Sequence, residues 1–378
     1  MTRSFTERNE NGRHYSRGPQ PPSADVNVSR PSSRDEFEIA IVCALKVEYD
    51  AVSLLVDEFW DGTSGSSYDE APGDPNLYRA GRIGKVNVVL VLLSDMGKAT
   101  SASSTTSLAM SYSGLKLMLL TGICGGVPRT RTVPELILGD VVISSSVIQY
   151  DLGRQFPDQF AMKDNPTDIL RRPQRSIRNL VSIVDTGLER NAVEERTGHL
   201  LWELQQKSAE YKHPGADKDL LINASSHHRH RGPQPPKDPC MCHSSDVGAV
   251  CEESRGMSCE TLGCLDNLIP RKRLETKQLM QEAERSIDAQ SPSIFVGPFG
   301  SGDKVLKSAR DRDEMAEKYG VLAFEMEGAG AWDVIPCIVI KGVCDYADSH
   351  KNKRWQAFAS ATAASAMRAL LERYMEDL

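Results

Sequence analysis

Apolar runs and segments of helical spacing alternate along most of the chain. "FEIAIVCAL" (37–45) is a near-continuous apolar run typical of a buried strand, and "KVEYDAVSLLVDEF" (46–59) has the apolar spacing of a helix. Residues 77–95 predict a hairpin with a long apolar second strand. The small residues of 97–113 predict a helix packed close to its neighbour.

Five more apolar runs predict further strands, at 115–122, 138–151, 293–302, 321–327 and 336–345. A final helix is predicted over 353–378. Strands this rich in Val, Ile and Leu, separated by helices, indicate a sheet covered on both faces. The pattern therefore predicts an α/β fold, a three-layer α/β/α sandwich around a central mixed, mostly parallel sheet.

Two segments show no such pattern. Residues 1–35 are rich in Arg, Ser, Pro and Asn, with almost nothing to bury, so we expect them to be disordered. Residues 223–267 are full of turn formers, and we expect a low-complexity, poorly ordered surface insertion there. The rest of 36–378 is expected to form a single domain.

Composition narrows the class of protein. A net charge of -7 gives no basic stripe, so nucleic acid is not expected as a partner. No apolar run approaches the ~20 residues of a membrane span, and the N-terminus has no signal-peptide core. The chain has nine cysteines, and Cys43, Cys124, Cys337 and Cys344 lie in apolar stretches. These features predict a reduced, cytoplasmic protein.

In a parallel sheet, ligands bind beyond the carboxyl ends of the strands. This rule selects four places, at 44–48, 94–98, 121–126 and 325–345. Catalytic or ligand-binding residues are therefore expected at these four places.

At two of these places, the sequence gives only weak evidence for a functional residue. Glu48 lies in the first turn of the helix after strand one, where the helix dipole favours a carboxylate whatever its role. "TGICGGV" (121–127) has three glycines in five residues, which predict a tight turn or a close backbone approach to a ligand. It is neither GxGxxG nor a Walker motif.

The other carboxylates are more informative. In "FEMEGAG" (324–330), Glu325 and Glu327 would point the same way in an extended segment. Such carboxylates need a partner, which a sugar diol or a structural salt bridge can provide. Asp345 and Asp348 end the last predicted strand, either as a polar stop or as a group that moves a proton.

The predicted insertion contains Cys240, Cys242, His243, Cys251, Cys259 and Cys264. Their spacing, C-x-C-H-x7-C-x7-C-x4-C, lacks the paired knuckles of structural zinc sites. We therefore predict no metal site, and "SSHHRHR" is interpreted as a solvated tract.

Five motifs in order, "IAIVCALKVEYDAV", "LLTGICGGVP", "LGDVVISS", "FEMEGAG" and "IKGVCDYADSHKNKRW", resemble the nucleoside phosphorylase superfamily. The chain is most similar to the branch with methylthioadenosine and S-adenosylhomocysteine nucleosidases, and to a related domain at the N-terminus of many fungal proteins. The resemblance covers 37–222 and 292–375. It implies the nucleoside phosphorylase-like form of the fold and a homo-oligomer, most simply a dimer.

The resemblance implies cleavage by water of the N-glycosidic bond of a purine nucleoside or nucleotide, with adenine as the expected base and no cofactor. Asp345 matches the general acid that protonates the leaving purine, which requires a pKa raised by desolvation. Asp348 matches a capping position. Glu48 matches the glutamate that orients the attacking water.

The remaining matches concern substrate binding. Glu327 matches the ribose-diol ligand, with Met326 packed against the sugar and Glu325 in a supporting role. Gly125 and Gly126 would line the floor of the base pocket. In "SGDKV" (301–305), Val305 stands where bacterial nucleosidases place a stacking phenylalanine, so an aromatic residue from elsewhere is expected.

Two alternatives stay open. The first is a phosphorylase, with phosphate as the co-substrate. However, Leu120 stands where that branch has a phosphate-binding arginine, and Glu48 stands in place of its phosphate-binding loop. Lys98 is the remaining basic residue that could bind phosphate. We therefore favour hydrolysis. A non-catalytic nucleoside sensor is the other alternative, and the presence of Glu48, Glu327 and Asp345 together favours retained activity.

Overall fold

A computed structural model describes residues 30–60, 68, 70–158, 160–163, 170, 172–231, 240, 242 and 250–374. From Pro31 onward these residues belong to one compact unit. The predicted disordered segment 1–35 lies outside the described residues as far as residue 29. Its last part is described, with Pro31 buried and a 3-10 turn at Arg34–Glu36.

The apolar runs form a nine-stranded sheet. Its strands are β1 (Ile39–Cys43), β2 (Glu58–Phe59), β3 (Tyr78–Ile83), β4 (Val86–Leu92), β5 (Leu117–Gly126), β6 (Val141–Gln149), β9 (Ile294–Ser301), β10 (Ala323–Glu325) and β11 (Cys337–Asp345). Two short strands, β7 (Gly153–Gln155) and β8 (Phe160–Met162), pair only with each other.

The strand order in the sheet is β10-β9-β6-β11-β5-β1-β4-β3-β2. Parallel pairs join β1 to β4 and β5, β5 to β11, and β9 to β6 and β10. Antiparallel pairs include β6 with β11 and β3 with β4. Because β10 also pairs with β5, the strands β5, β11, β6, β9 and β10 close into a ring. The predicted mixed sheet is confirmed.

The helices are α1 (Lys46–Ser53), α2 (Lys98–Ser111), α3 (Arg175–Val184), α4 (Gly187–Lys207), α5 (Glu252–Gly256), α6 (Lys272–Glu282), α7 (Ser286–Gln290), α8 (Ala309–Tyr319), α9 (Gly328–Ala331) and α10 (Gln356–Tyr374). The long helix α10 packs on β5 and β11 and contacts α1 and α4, while α2 packs against α9. The predicted three-layer α/β/α sandwich is confirmed. None of the helices in the described ranges is both long and apolar enough to cross a bilayer.

Two elements differ from the prediction. The helix predicted over 46–59 ends at Ser53, and its last residues form the edge strand β2 beside β3. Of the two alternatives predicted for the glycines of 121–127, the tight turn is wrong, because β5 continues through Gly126. Its glycine-rich part pairs with β11 on one side and with β10 on the other, so the backbone groups have ladder partners.

The predicted insertion is folded where it is described. Asn223 donates its N–H to the carbonyl oxygen of Asn267, and a β-bridge joins Ile222 to Leu268, so the two ends of the segment meet. Leu262 and Cys264 pack with Ile222 into a small buried cluster. The described parts of the segment, 223–231 and 250–267, thus make specific contacts, and their poor order stays a prediction. Residues 232–239, 241 and 243–249 lie outside the described residues, and His243 is among them.

Close packing between α10 and β11 fixes the centre of the fold. A Cβ atom at Gly342 would lie 2.0 Å from the carbonyl oxygen of Ala359, a backbone atom that cannot move aside alone. We predict that Gly342→Ala lowers the free energy of unfolding by ~1–3 kcal/mol, the usual cost of overpacking. Denaturant unfolding measures this loss. Gly187→Ala is the control, since nothing lies within 4 Å of its added Cβ. Equal stability of the two variants would contradict the packing described here.

Candidate active site

A cavity of about 300 Å³ lies at the carboxyl ends of β1, β5 and β11. The residues predicted to act on a substrate that line it are Glu48, Gly125, Val305, Glu325, Met326, Glu327 and Asp345. Gly126 and Lys98 do not line it. Places that lie far apart along the chain meet here because parallel strands end at one edge of the sheet.

Glu48 is held by three backbone N–H groups. Its Oε2 accepts hydrogen bonds from the N–H groups of Ala44 and Leu45, both at 2.9 Å, and its Oε1 accepts one from Ile123 at 2.8 Å. The side chain is buried, and burial raises its pKa, against the effect of the Lys341 ammonium. A fixed carboxylate with a raised pKa is suited to accept a proton.

The glycines of β5 have a role that their sequence motif did not indicate. A Cβ atom at Gly122 would lie 2.2 Å from Oε1 of Glu48, and one at Gly125 would lie 2.9 Å from Oδ1 of Asp345. These glycines therefore leave room for the two carboxylates. Gly126 was predicted to line the pocket floor, but its missing Cβ faces Leu136 and Val343 in the core.

Glu325 and Glu327 both reach the cavity, although the chain is no longer extended at Glu327. Oε2 of Glu325 accepts hydrogen bonds from the N–H groups of Glu327 at 2.9 Å and Gly328 at 2.8 Å. Its Oε1 is buried, with no hydrogen-bond partner among the described residues. Burial and the neighbouring Glu327 raise the pKa of Glu325 to about 6. Met326, between them, is half-buried in the cavity wall.

Lys341 was not among the residues predicted from the sequence; it lies in the middle of β11 and is fully buried. Its Nζ is 3.3 Å from Oε2 of Glu327. Burial alone would lower its pKa, but Glu327, Glu48 and Glu325 together raise it, so the lysine remains charged. The available signal was a single lysine inside the apolar run "CIVIKGVC".

Asp345 has a cationic neighbour that sequence analysis did not include. Its Oδ1 accepts a hydrogen bond from the N–H of Ala347 at 2.9 Å, and its Oδ2 lies 3.0 Å from Nζ of Lys351. Burial opposes the charge on Lys351, but Asp345 and Cys344 raise its pKa. Asp348 does not line this cavity, and its Oδ1 accepts the N–H of His350 at 2.9 Å.

Lys98 is already paired. Its Nζ lies 2.5 Å and 2.6 Å from the two carboxylate oxygens of Asp151 and 3.6 Å from Oδ2 of Asp303. At the start of α2, Lys98 is therefore held by two carboxylates from other parts of the chain. The lysines that line the cavity instead are Lys304, Lys307, Lys351 and Lys353.

Val305 lies in the cavity wall and is 48% exposed. Two buried aromatic side chains also line the cavity, Tyr150 and Phe324, with ring centroids 5.8 Å apart in an edge-to-face arrangement. The Tyr150 hydroxyl donates a hydrogen bond to the carbonyl oxygen of Lys304 at 2.5 Å. These are the aromatic residues available to a planar ligand at this site.

The close approach of Gly122 to Glu48 gives a test of the site that leaves every polar group in place. We predict that Gly122→Ala displaces the Glu48 carboxylate and lowers turnover by at least ~10²-fold, the low end for general-base catalysis. Steady-state kinetics with a purine nucleoside, the substrate expected from the sequence, measures the loss. The exposed-helix variant Gly187→Ala should keep the activity of the unmodified protein. Unchanged turnover in a folded Gly122→Ala protein would contradict the position assigned to Glu48.

Comparison with known proteins gives four findings. Residues 38–198 and 269–376 match the sequence profile of the phosphorylase superfamily. A nucleotide-binding leucine-rich repeat (NLR)-like protein of Hyaloscypha variabilis is 27% identical over 360 residues, which cover 92% of this chain but 30% of that protein. The chain thus spans less than a third of that relative's length.

A 5′-methylthioadenosine/S-adenosylhomocysteine nucleosidase of Mycobacterium bovis is 22% identical over 300 residues, covering 78% of this chain and 84% of that enzyme. Among solved structures, the nucleosidase of the same name from S. pneumoniae superimposes with a TM-score of 0.50 and 16% identity. The match covers 89% of this chain and 99% of that one.

Proposed function

The chain belongs to the phosphorylase superfamily, and we propose that it is a nucleosidase that hydrolyses the N-glycosidic bond of a purine nucleoside or nucleotide, with adenine as the base. The observation that supports this most strongly is the convergence of Glu48, Glu327 and Asp345 on one cavity. The M. bovis relative, which is named as a nucleosidase, agrees with it.

In the proposed mechanism, the bond between the base and C1′ of ribose breaks as positive charge develops on the sugar ring. Asp345 donates a proton to the departing purine, and Glu48 orients a water molecule and takes its proton as the oxygen bonds to C1′. Glu327 accepts hydrogen bonds from the two ribose hydroxyls, and Tyr150 and Phe324 provide apolar contact for the base. The proton on Glu48 and the ionised Asp345 then exchange with solvent.

Water is favoured over phosphate as the nucleophile by the charges at the position that the nucleophile would occupy. Glu48 would repel a phosphate dianion from the position of the nucleophile. Lys98, the basic candidate, is paired with Asp151. No arginine is present among the described residues that line the cavity.

The lysines of the cavity wall indicate which substituent the 5′ carbon of the ribose carries. They are Lys304, Lys307, Lys351 and Lys353. Asp345 pairs with Lys351, and Nζ of Lys304 lies 4.8 Å from the centroid of the Phe160 ring. The positive charges of Lys304, Lys307 and Lys353 can attract an anionic group. This arrangement favours a nucleoside 5′-phosphate over an uncharged nucleoside.

The substrate can be tested by incubating the protein with adenosine, 5′-methylthioadenosine or AMP, each with and without inorganic phosphate. We predict that adenine is released from all three, fastest from AMP, and at a rate that does not depend on phosphate. Strict dependence on phosphate would show a phosphorylase instead.

The roles of the two catalytic carboxylates are separable. We predict that Asp345→Asn lowers adenine release by at least ~10²-fold, because the amide cannot donate a proton in the same way. A 4-nitrophenyl riboside, whose leaving group needs no protonation, should lose much less. Glu48→Gln should impair both substrates, because each needs an activated water.

Asp348→Asn is the matched control, since it changes an acid of the same turn that does not line the cavity. Unchanged adenine release by a folded Asp345→Asn protein would rule out the proposed mechanism. Binding of AMP without turnover in the unmodified protein would favour a sensor, which the similarity to an NLR-like protein suggests as the second candidate.

A further inference from the structure

The folded part of the inserted segment brings cysteine and histidine side chains together in two groups. The first cluster is His228, Cys259, Cys264 and His350. The second cluster is His230, Cys240, Cys242 and Cys251. In each cluster the nitrogen and sulfur atoms all lie within 4.8 Å of one another. We propose that each cluster binds one Zn²⁺ ion as a structural site.

The first cluster has the dimensions of a tetrahedral zinc site. Zinc bonds of ordinary length require about 3.3 Å between two nitrogens, about 3.6 Å between nitrogen and sulfur, and about 3.8 Å between two sulfurs. The two Nδ1 atoms of His228 and His350 are 3.4 Å apart. Sγ of Cys259 is 3.6 Å from each of them, and Sγ of Cys264 is 3.7 Å from Nδ1 of His228.

The histidines of the first cluster are also oriented for metal binding. Nε2 of His228 lies 3.0 Å from the carbonyl oxygen of Met257, and Nε2 of His350 lies 2.8 Å from that of Ser226. A carbonyl oxygen can only accept, so each Nε2 carries the proton and each Nδ1 presents a lone pair to the cluster. Such backbone partners commonly fix metal-bound histidines.

The second cluster follows the same pattern with three sulfurs. Nδ1 of His230 lies 3.5 Å from Sγ of Cys240 and 3.4 Å from Sγ of Cys251, and these two sulfurs are 4.0 Å apart. The backbone N–H of Cys251 donates a hydrogen bond to Sγ of Cys242, with 3.3 Å between nitrogen and sulfur. The N–H of Ser254 donates one to Sγ of Cys251, over 3.5 Å. N–H groups directed at sulfur stabilise thiolates, the form in which cysteine binds a metal.

Zinc is the metal that these ligands favour. Two Cys with two His, or three Cys with one His, in tetrahedral closed groups are typical of structural Zn²⁺. All nine cysteines are free thiols, so no disulfide competes for these sulfurs. Where the structure describes it, the segment buries only a small apolar cluster around Ile222, Leu262 and Cys264, so metal binding would supply the stability that this cluster does not.

The first cluster also connects the inserted segment to the candidate active site. His350 lies in the turn after β11, between Asp348 and Lys351, and the same turn carries Asp345. A second cavity of about 260 Å³ is lined by this turn together with His228 and Cys259. A zinc ion in the first cluster would thus fix the turn that holds the Asp345–Lys351 pair.

The test is metal analysis of the full chain after dialysis against a weak chelator, which removes loosely bound ions. We expect two zinc ions per chain. The double variant Cys259→Ser/Cys264→Ser should retain one, and so should Cys242→Ser/Cys251→Ser. His227→Ala is the matched control, because His227 lies in the same histidine tract but in neither cluster, and it should retain two. Fewer than two ions in the unmodified chain, or two ions in either double variant, would overturn the proposal.

A second measurement uses the unmodified chain, in case a variant does not fold. Exchange of the zinc for Co²⁺ should give the intense visible absorption of tetrahedral cobalt bound to thiolates, which saturates at two Co²⁺ per chain. Removal of both metals should lower the melting temperature, and re-addition of Zn²⁺ should restore it. Absorption typical of octahedral cobalt, or a melting temperature that does not depend on metal, would also overturn the proposal. None of these readouts depends on the proposed nucleosidase activity.

Discussion

The ammonium group of Lys341 is the interaction on which the candidate site depends. It is fully buried in the middle of β11 and faces Glu327 at 3.3 Å, with Glu48 and Glu325 as its other charged neighbours. An unpaired carboxylate in such a place costs several kcal/mol. One lysine and the backbone N–H groups around these side chains make it possible to hold three glutamates at one edge of a buried sheet.

The ring of strands gives this charge arrangement its geometry. Lys341 lies within β11 and Asp345 lies at its end, so one strand provides both the balancing cation and the candidate acid. Next to it, β5 has glycines at the two positions where a side chain would collide with Glu48 or Asp345. Most side chains of β5 and β11 are apolar, with Lys341 as the charged exception, and near the carboxyl ends of these strands lie Asp345 and the glycines that leave room for the carboxylates.

Much of this could be predicted from the sequence, because it depends on local patterns. Apolar runs gave the strands, and the rule that ligands bind beyond strand ends placed Glu48, Glu327 and Asp345 at one site. Contacts between distant parts of the chain could not be predicted in this way. A lone lysine in an apolar run does not identify the three glutamates that keep it charged, and nothing near Lys98 indicates that Asp151 neutralises it.

In the inserted segment, too, contacts between distant parts of the chain could not be predicted from the sequence. The spacing of its cysteines does not match a known zinc motif, because the histidines that complete the two clusters come from a tract that resembles a solvated linker and from the turn after β11. Similarly, the glycines of β5 could be interpreted as a turn from the sequence. Their role, which is to leave room for Glu48 and Asp345, could not be recognised because these carboxylates are distant in sequence.

The central claim is that Lys341 offsets the charge of the buried glutamates, and the pH dependence of stability tests it most directly. Without the lysine, the pKa values of Glu48 and Glu325 should rise further, so the folded state would bind more protons than the unfolded state and stability would fall as pH rises. The free energy of unfolding of Lys341→Met should therefore be close to that of the unmodified protein near about pH 5 and lower by ~3–5 kcal/mol near about pH 8. Lys116→Met, at an exposed lysine, should show no such divergence. A loss for Lys341→Met that is equal at both pH values would contradict the claim, because it would show that the lysine acts through packing alone.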